Sequence, residues 1–329
     1  MSAELLSVRD LSVSFVTEAG VARVLDGVNL SLLPGEIMGL VGESGCGKTT
    51  LARTILGALP DNATIAGGSL TFNGHDLLRS AEQVRGREIT FIPQDPFSSF
   101  SPLFTIGDQI LELMRWKSPD PRPARARRRD DRQRVLNLLR AVQLPDPEHL
   151  LRKYPHEVSG GQRQRVMIAM ALLPEPKLVI ADEPTTALDV TIQAQILRLL
   201  RNLATERDVS VLFATHDLGT AWEICDRVTV MYAGQELETA PISQFFRAPM
   251  VPYTRLLLDS LPTSGSALRG IPGDVPSLVT PPTGCRFHPR CPRADVICRG
   301  EHPIASEPEA GHQVRCHHPH LQIAGIVAA

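Results

Sequence analysis

Short apolar runs alternate with amphipathic stretches through most of the first 250 residues. Three of these runs have the composition of strands buried on both faces, namely Ile37–Leu40, Lys177–Ala181 and Val209–Ala214. Apolar residues recur at helical spacing in three neighbouring segments, Thr49–Leu56, Gly161–Leu173 and Ile192–Thr205. Because strands and helices alternate, the sequence predicts an α/β fold with a largely parallel sheet.

Two regions depart from this alternation. Residues 4–35 contain several short strand-like runs separated by turn residues, which predicts an antiparallel sheet. Residues from about 100 to 165 have a mostly helical pattern and carry the basic run RPARARRRDDRQR. We interpret this run as a solvated helix face with i,i+4 ion pairs. A patch for lipid or nucleic acid is the less favoured alternative, because Asp130 and Asp131 interrupt the positive charge.

The composition changes near residue 249. Twelve of the 27 prolines and six of the 10 histidines lie after residue 248, so this part cannot consist mostly of long helices. The sequence therefore predicts a main domain over 1–248, with a helical subdomain at about 100–165. It predicts a smaller Pro- and Cys-rich extension over 249–329.

Overall charge and hydropathy exclude several classes of protein. Lys and Arg number 34 and Asp and Glu 36, a balance that argues against a general nucleic-acid binder. The 43% of apolar residues is enough for a sizeable core. No apolar run approaches the roughly 20 residues that cross a bilayer, and no signal peptide is visible at the N-terminus. We therefore expect a cytoplasmic protein that meets a membrane only through protein partners.

The segment Gly42–Thr49, GESGCGKT, has every fixed residue of a phosphate-binding loop between a strand and a helix. Its glycines let backbone N–H groups surround phosphate, and the following helix directs its positive end to the same place. Lys48 is expected to contact the β- and γ-phosphates, and the Thr49 hydroxyl to bind Mg²⁺. The sequence therefore predicts a nucleotide triphosphate site.

Polar residues at other strand ends complete the expected chemistry. Asp182 follows an apolar strand and can hold Mg²⁺, and Glu183 can deprotonate the attacking water. Gln94 and His216 also follow strand-like runs, where α/β proteins place ligand groups. The segment 159–162, SGGQ, precedes a helix and forms a second phosphate-binding end. The sequence thus predicts two helix N-termini that bind phosphate, which is more than a single nucleotide site needs.

Four cysteines cluster near the C-terminus with the spacing C-x5-C-x6-C-x17-C: Cys285, Cys291, Cys298 and Cys316. In a reducing compartment this clustering indicates a metal site. The spacing does not separate zinc from an iron–sulfur cluster, and His288, His317 and His318 are further candidate zinc ligands. Free cysteines, or a disulfide formed on oxidation, are the alternative.

The ordered set VGESGCGKTT, FIPQDP, VSGGQRQRV, LVIADEPTTALD and THD resembles the nucleotide-binding subunits of ABC transporters. The segments YPHEVSGGQRQRVMIAMALL, MYAGQELE and PMVPYTRLL, with the cysteine-rich tail, are similar to the peptide and nickel uptake branch. The likeness covers almost the whole chain. It implies a P-loop NTPase cassette with a RecA-like parallel core, an antiparallel β subdomain, a helical subdomain and a small Cys-rich extension.

The resemblance assigns roles by position. The Walker A loop would be Gly42, Glu43, Ser44, Gly45, Cys46, Gly47, Lys48, Thr49 and Thr50. Gln94 would be the Q-loop residue at Mg²⁺, Asp182 the Walker B acid, Glu183 the general base and His216 the switch histidine. The signature would be Ser159, Gly160, Gly161 and Gln162, which bind the γ-phosphate of ATP held by a partner subunit. The D-loop would be Ala187, Leu188 and Asp189.

The resemblance also implies cofactors and partners. These are ATP, Mg²⁺ and a [4Fe–4S] cluster on the four tail cysteines, with zinc as the alternative. The partners would be a second, related ABC ATPase, two permease subunits and an extracytoplasmic substrate-binding protein, at the cytoplasmic face of the inner membrane. The expected activity is ATP hydrolysis coupled to uptake of di- or oligopeptides. Nickel or glutathione is an alternative cargo, and a soluble ABC ATPase acting on nucleic acid or ribosomes is the alternative class.

One family feature has no match. These cassettes usually stack adenine on an aromatic residue about two dozen positions before the Walker A loop. Ala19 or Val21 falls there by spacing, and the nearest aromatic residue is Phe15.

Overall fold

The computed structural model describes residues 4–95, 98–185, 190–261 and 270–320. The strands are Leu6–Thr17 (β1), Gly20–Leu32 (β2), Ile37–Val41 (β3), Ala63–Phe72 (β4), His75–Asp76 (β5), Ile89–Ile92 (β6), Leu178–Asp182 (β7), Ser210–Thr215 (β8), Arg227–Tyr232 (β9), Gln235–Pro241 (β10), Ala305–Glu309 (β11) and His312–Arg315 (β12). The helices are Lys48–Ile55 (α1), Leu77–Val84 (α2), Ile106–Lys117 (α3), Ala124–Ala141 (α4), Pro147–Leu150 (α5), Gly160–Leu172 (α6), Val190–Glu206 (α7), Leu218–Ile224 (α8), Ile242–Arg247 (α9), Pro252–Asp259 (α10) and Val296–Gly300 (α11).

The chain divides into two compact units that are discontinuous in sequence. One contains residues 33–37 and 79–214, and the other contains residues 4–32, 38–78 and the chain from residue 215 onward. The boundary at residue 248 that we predict from composition stays a prediction. Among the residues that the structure describes, no helix is both long and apolar enough to cross a membrane.

The first unit contains three parallel strands, with β7 paired to both β6 and β8. Every residue of β7 and β8 is buried, which explains why both strands are unbroken apolar runs in the sequence. The prediction of parallel strands followed by helices is confirmed for this unit, since α7 lies between β7 and β8 along the chain. The Asp182 carboxyl group is at the C-terminal end of β7.

Helices α3 to α6 belong to this unit and overlap the span of about 100–165, where a helical subdomain stays a prediction. The basic run lies on α4, and most of its arginines are exposed as expected. Arg127 is the exception: it is buried, pairs with Asp131 at 3.0 Å, and donates to the Met114 and Arg115 carbonyl oxygens at the end of α3. The i,i+4 ion pair that we predict is present here, but the solvated-face interpretation is wrong for Arg127 and Asp131, because their pair is buried and joins α4 to the end of α3.

The second unit contains an antiparallel sheet in the order β2-β1-β4-β5. The antiparallel prediction for residues 4–35 is confirmed, but the strands are longer than predicted. Strands β1 and β2 have 12 and 13 residues, and register shifts between Val8 and Leu11 and between Val13 and Ser14 interrupt their alternation. These irregularities make two long strands resemble several short ones in sequence.

The same unit contains a second set of strands in the order β11-β12-β10-β9-β3. Strand β3 is parallel to β9, as predicted for a strand entering a phosphate loop, whereas β9, β10, β12 and β11 are antiparallel neighbours. Ala233 and Gly234, at φ 45° and 87°, form the tight β9–β10 turn. The C-terminal strands β11 and β12 thus extend β10, an arrangement that the composition of the tail did not predict.

Candidate functional site

The phosphate loop follows β3, whose five residues are all buried, and ends where α1 begins at Lys48. Gly42 has φ 151°, and a Cβ atom there would lie 2.1 Å from the Met231 carbonyl oxygen, so no other residue fits. Within the described residues, no side chain caps the N-terminus of α1. Its first N–H groups are thus available for an anion.

Lys48 and Cys46 are buried beneath this loop, while Thr49 is exposed. The Lys48 Nζ donates to the Gly42 carbonyl oxygen at 2.8 Å and the Glu43 carbonyl oxygen at 3.3 Å. Burial raises the pKa of the Cys46 thiol, so the thiol is neutral and fills space under the loop. The ammonium group is already at the loop, and phosphate oxygens can replace the carbonyl oxygens as its acceptors.

The carboxylates of the first unit lie at the end of β7. Asp182 is buried at the last position of the strand, and Glu183 follows it with φ 48°. This left-handed conformation is uncommon for glutamate and typical of strained functional positions. The side-chain amide of Gln94 donates to the Glu183 carboxylate at 2.9 Å. Two predicted site residues that are 89 positions apart are therefore in direct contact.

The signature segment caps helix α6. The Ser159 hydroxyl accepts from the Gln162 N–H at 3.3 Å, and the Gln162 side chain accepts from the Ser159 N–H at 3.1 Å. This capping box leaves Gly160 and Gly161 at the first turn, both half-buried. An anion can reach the helix end because neither glycine has a side chain.

His216 follows β8 and is exposed. The turn around it is fixed, since the Thr215 hydroxyl accepts from the Asp217 N–H and Asp217 caps α8 through the Gly219 N–H.

The predicted D-loop residues Ala187, Leu188 and Asp189 lie outside the described residues. Near the expected adenine position, Val16 and Val21 are opposite one another on β1 and β2, and both are exposed.

The four tail cysteines line one small cavity in the second unit. Its remaining lining is partly apolar, with Leu237, Val251 and Phe287, and partly basic, with His288 and Arg293 among other residues. Burial raises the pKa of Cys285 to about 11 and that of Cys316 to about 12, and it also raises the pKa of Cys291 and Cys298. The thiols are therefore protonated at neutral pH, and a metal must displace their protons to bind.

The spacing of ligand atoms around this cavity is uneven. Among the described residues, the group of three ligand atoms that lie within 4.8 Å of one another is formed by Asp295, Cys298 and His318. The Asp295 carboxylate contacts the His318 Nε2 at 2.9 Å and accepts from the Cys298 N–H at 3.2 Å. Its hydrogen bond with His318 lowers the pKa of Asp295 to about 2. The four sulfurs do not form such a close group.

The sequence analysis missed the contacts that hold the phosphate loop from outside. Arg290 makes two hydrogen bonds to the Glu43 carboxylate, at 2.7 and 3.1 Å, and the Tyr253 hydroxyl accepts from the Glu43 N–H at 3.2 Å. Both partners come from the C-terminal part of the chain, more than 200 residues away. No local sequence pattern signals such contacts, although Arg290 lies next to Cys291.

Two family models match the chain. The model described as ABC transporter covers residues 25–186, which include the phosphate loop, Gln94, the signature and Glu183. The model described as oligopeptide/dipeptide transporter, C-terminal region, covers residues 237–298, which include three of the four tail cysteines.

Curated relatives match over nearly the full length. The chain is 44% identical to the dipeptide transport ATP-binding protein DppD of Bacillus subtilis, over 95% of this chain and 94% of that protein. It is 43% identical to DppD of Escherichia coli, over 96% and 97%. It is 48% identical to a probable peptide ABC transporter ATP-binding protein of Sinorhizobium fredii, over 95% and 94%.

Solved structures agree with this assignment. A dimeric ATP-binding cassette in a post-hydrolysis state with ADP and Pi matches with a TM-score of 0.62 and 26% identity, over 72% of this chain and 98% of that chain. A cassette of an ABC transporter complex from Clostridium perfringens matches with a TM-score of 0.61 and 28% identity, over 74% and 91%. The chain has the ABC cassette fold of the P-loop NTPases and belongs to the ATP-binding proteins of ABC transporters.

Proposed function

We propose that this protein is the ATP-hydrolysing subunit of an importer for di- or oligopeptides. The observation that carries the proposal is the 43–48% identity, over almost the entire length of both chains, to proteins named for peptide or dipeptide transport. The match of residues 237–298 to the oligopeptide/dipeptide C-terminal region supports peptides over nickel or glutathione as cargo. Complete Walker A, Walker B and signature segments support hydrolysis.

The phosphates of ATP bind to the loop Gly42–Thr50. Lys48 Nζ donates to the Gly42 and Glu43 carbonyl oxygens. When ATP binds, it donates instead to oxygens of the β- and γ-phosphates. The oxygen donors Thr49, Gln94 and Asp182 suit a hard divalent cation, and the carboxylate of Asp182 at a buried strand end gives the needed negative charge. Mg²⁺ held by these residues would supply positive charge to the phosphates.

Glu183 acts as the general base that takes a proton from the attacking water. Its contact with the Gln94 amide supports this role, because the hydrogen bond orients the carboxylate. His216 contacts the γ-phosphate. Loss of the γ-phosphate after hydrolysis removes the partner of His216 and favours release.

Ser159, Gly160, Gly161 and Gln162 bind the γ-phosphate of ATP held by a second cassette. The N-terminal turn of α6 supports this role, since Gly160 and Gly161 place no side chain between its backbone N–H groups and a phosphate. Two cassettes that face each other in this way enclose two ATP molecules and exclude water. The second cassette is a related chain, and two permease subunits and an extracytoplasmic substrate-binding protein complete the importer at the inner membrane.

The four tail cysteines hold a [4Fe–4S] cluster that stabilises the extension. All four line one cavity, which supports a shared ligand. A single tetrahedral Zn²⁺ with four sulfurs at 2.3 Å would need sulfurs about 3.8 Å apart, closer than this cavity brings them as a group. A cluster of several iron atoms spans a wider sulfur set. Zinc held by Asp295, Cys298 and His318 is the alternative occupant.

Two measurements test these proposals. The protein is co-expressed with its membrane partners, and the purified importer is reconstituted in proteoliposomes. These proteoliposomes should take up a labelled dipeptide, but not nickel ions, when ATP is supplied. Uptake of nickel ions without uptake of the dipeptide would contradict the proposal that peptides are the cargo. Protein purified without oxygen should contain about four iron and four sulfide per chain, whereas stoichiometric zinc without iron would overturn the cluster.

A further inference from the structure

The Glu43 side chain of the phosphate loop is held by a residue from the cysteine-rich extension. Arg290 Nη1 and Nη2 donate to the two carboxylate oxygens at 2.7 and 3.1 Å, a bidentate geometry that fixes both groups in orientation. The Arg290 side chain is only 4% exposed and that of Glu43 is 26% exposed. Solvent therefore screens this pair much less than a surface ion pair.

Arg290 is itself fixed on every side. Its Nε donates to the Pro272 carbonyl oxygen at 2.9 Å and its Nη2 to that of Ile271 at 3.1 Å. The guanidinium lies 5.7 Å from the ring of Tyr232 and 6.0 Å from that of Phe287. Because these contacts fix the orientation of its guanidinium, Arg290 can hold the loop rigidly.

Glu43 transmits this constraint to the lysine that contacts phosphate. Its N–H donates to the Tyr253 hydroxyl at 3.2 Å, and its carbonyl oxygen accepts from Lys48 Nζ at 3.3 Å. The side chain, N–H and carbonyl group of one loop residue are thus held by Arg290, Tyr253 and Lys48. A shift of the Glu43 carboxylate changes the position of the loop backbone next to the Lys48 ammonium.

A second arginine of the same segment reaches the loop by another route. Arg286 is buried and donates to the Ala233 carbonyl oxygen and to the Asp26 carboxylate at 2.7 Å. The neighbouring Gly234 N–H donates to the Cys46 carbonyl oxygen at 2.9 Å. The segment 285–291, which begins and ends with a cysteine of the cavity, therefore contacts the frame of the phosphate loop through two arginines.

We propose that Arg290 is a positioning residue for nucleotide: through Glu43 it holds the phosphate loop in its binding shape, and it couples segment 285–291 to ATP affinity. The proposal rests on the proposed function, since it concerns the same ATP site. Glu43 and Arg290 need not touch the nucleotide, and their effect passes through the loop backbone.

The test is equilibrium binding of a fluorescent ATP analogue to the full-length protein and its variants. Arg290→Met and Glu43→Gln should each raise Kd about tenfold, and the double variant should raise it no further, as expected for one coupled interaction. Arg290→Lys keeps the charge but loses the bidentate geometry and should raise Kd by a smaller factor. The matched control is Arg299→Met, an exposed arginine of the same extension, which should bind like the parent protein.

A second readout follows from the reciprocity of coupling. Bound nucleotide should slow amide hydrogen exchange in peptides covering 285–291 of the parent protein, and this protection should disappear in Glu43→Gln. If circular dichroism shows that Arg290→Met is unfolded, Glu43→Gln alone tests the proposal, through its Kd for nucleotide and through hydrogen exchange of residues 285–291.

Unchanged Kd and unchanged exchange protection in Glu43→Gln, with Lys48-dependent ATP binding intact in the parent protein, would overturn the inference and leave the proposed function standing. Failure of the parent protein to bind ATP would overturn the proposed function instead.

Discussion

The Gln94 side-chain amide donates a 2.9 Å hydrogen bond to the carboxylate of Glu183. The two residues follow β6 and β7, neighbouring parallel strands whose carboxyl ends meet at one edge. The contact orients the proposed base through a residue that the family also places at Mg²⁺. A change at Gln94 should therefore affect the geometry of Glu183 directly.

Gln94→Leu should lower kcat by about tenfold, because Glu183 loses the hydrogen bond that orients its carboxylate. The rate of phosphate release from the assembled importer checks this. Parent-level phosphate release by Gln94→Leu would refute the role of the contact.

Lys48→Ala should weaken ATP binding by about 10- to 100-fold, the range for loss of a hydrogen bond to a charged group. Isothermal titration with ATP and Mg²⁺ measures this loss. Arg53→Ala, an exposed basic residue later on the same helix α1, is the matched control and should bind ATP normally. If Lys48→Ala and Arg53→Ala bound ATP with equal affinity, Lys48 would have no role in binding phosphate at this loop.

Variants of Ser159 separate its capping role from its proposed phosphate role. Ser159→Ala removes the capping hydrogen bond of α6 and should lower the free energy of unfolding by about 1 kcal/mol. Ser159→Asp keeps a good N-cap and should retain stability, but its charge should repel the γ-phosphate and abolish hydrolysis in the assembled importer. Chemical denaturation and phosphate release measure the two effects. Normal hydrolysis by Ser159→Asp would refute the signature role.

The metal-free extension should lose stability above pH 9. Burial raises the pKa of Cys285 to about 11 and that of Cys316 to about 12 in the folded chain, from 9.0 when exposed. Between these values the folded state keeps protons that the unfolded state has released, so the free energy of unfolding falls as pH rises. Urea denaturation of chelator-treated protein from pH 7 to pH 11 checks this. The double variant Cys285→Ser and Cys316→Ser should show a smaller decline, since only the raised pKa values of Cys291 and Cys298 then remain.

Much of the fold was predictable because its signals are local. Buried strands such as β7 are unbroken apolar runs, and glycines and Lys48 at fixed spacing identify the phosphate loop. The long strands β1 and β2 resemble several short ones in the sequence because their bulges break the alternation. The addition of β12 to β10 depends on contacts between distant segments, for which the sequence has no periodic signal.

The site followed the same division. Walker A, Gln94, Glu183 and the signature each carry a motif, whereas the Glu43–Arg290 contact does not. Arg127 shows the same limit within the basic run, because only tertiary packing against the end of α3 distinguishes it from the exposed arginines beside it. Motifs locate the groups that touch the ligand, and packing determines which distant residues hold them.

The most direct test of the account is the fate of ATP in Glu183→Gln within the importer reassembled with its permeases and second cassette. We expect turnover at the sites that use Glu183 to fall by about 10²- to 10⁴-fold, with ATP retained in a closed cassette pair after gel filtration. Parent-level hydrolysis at these sites, or a cassette pair that stays open with ATP bound to neither chain, would contradict it.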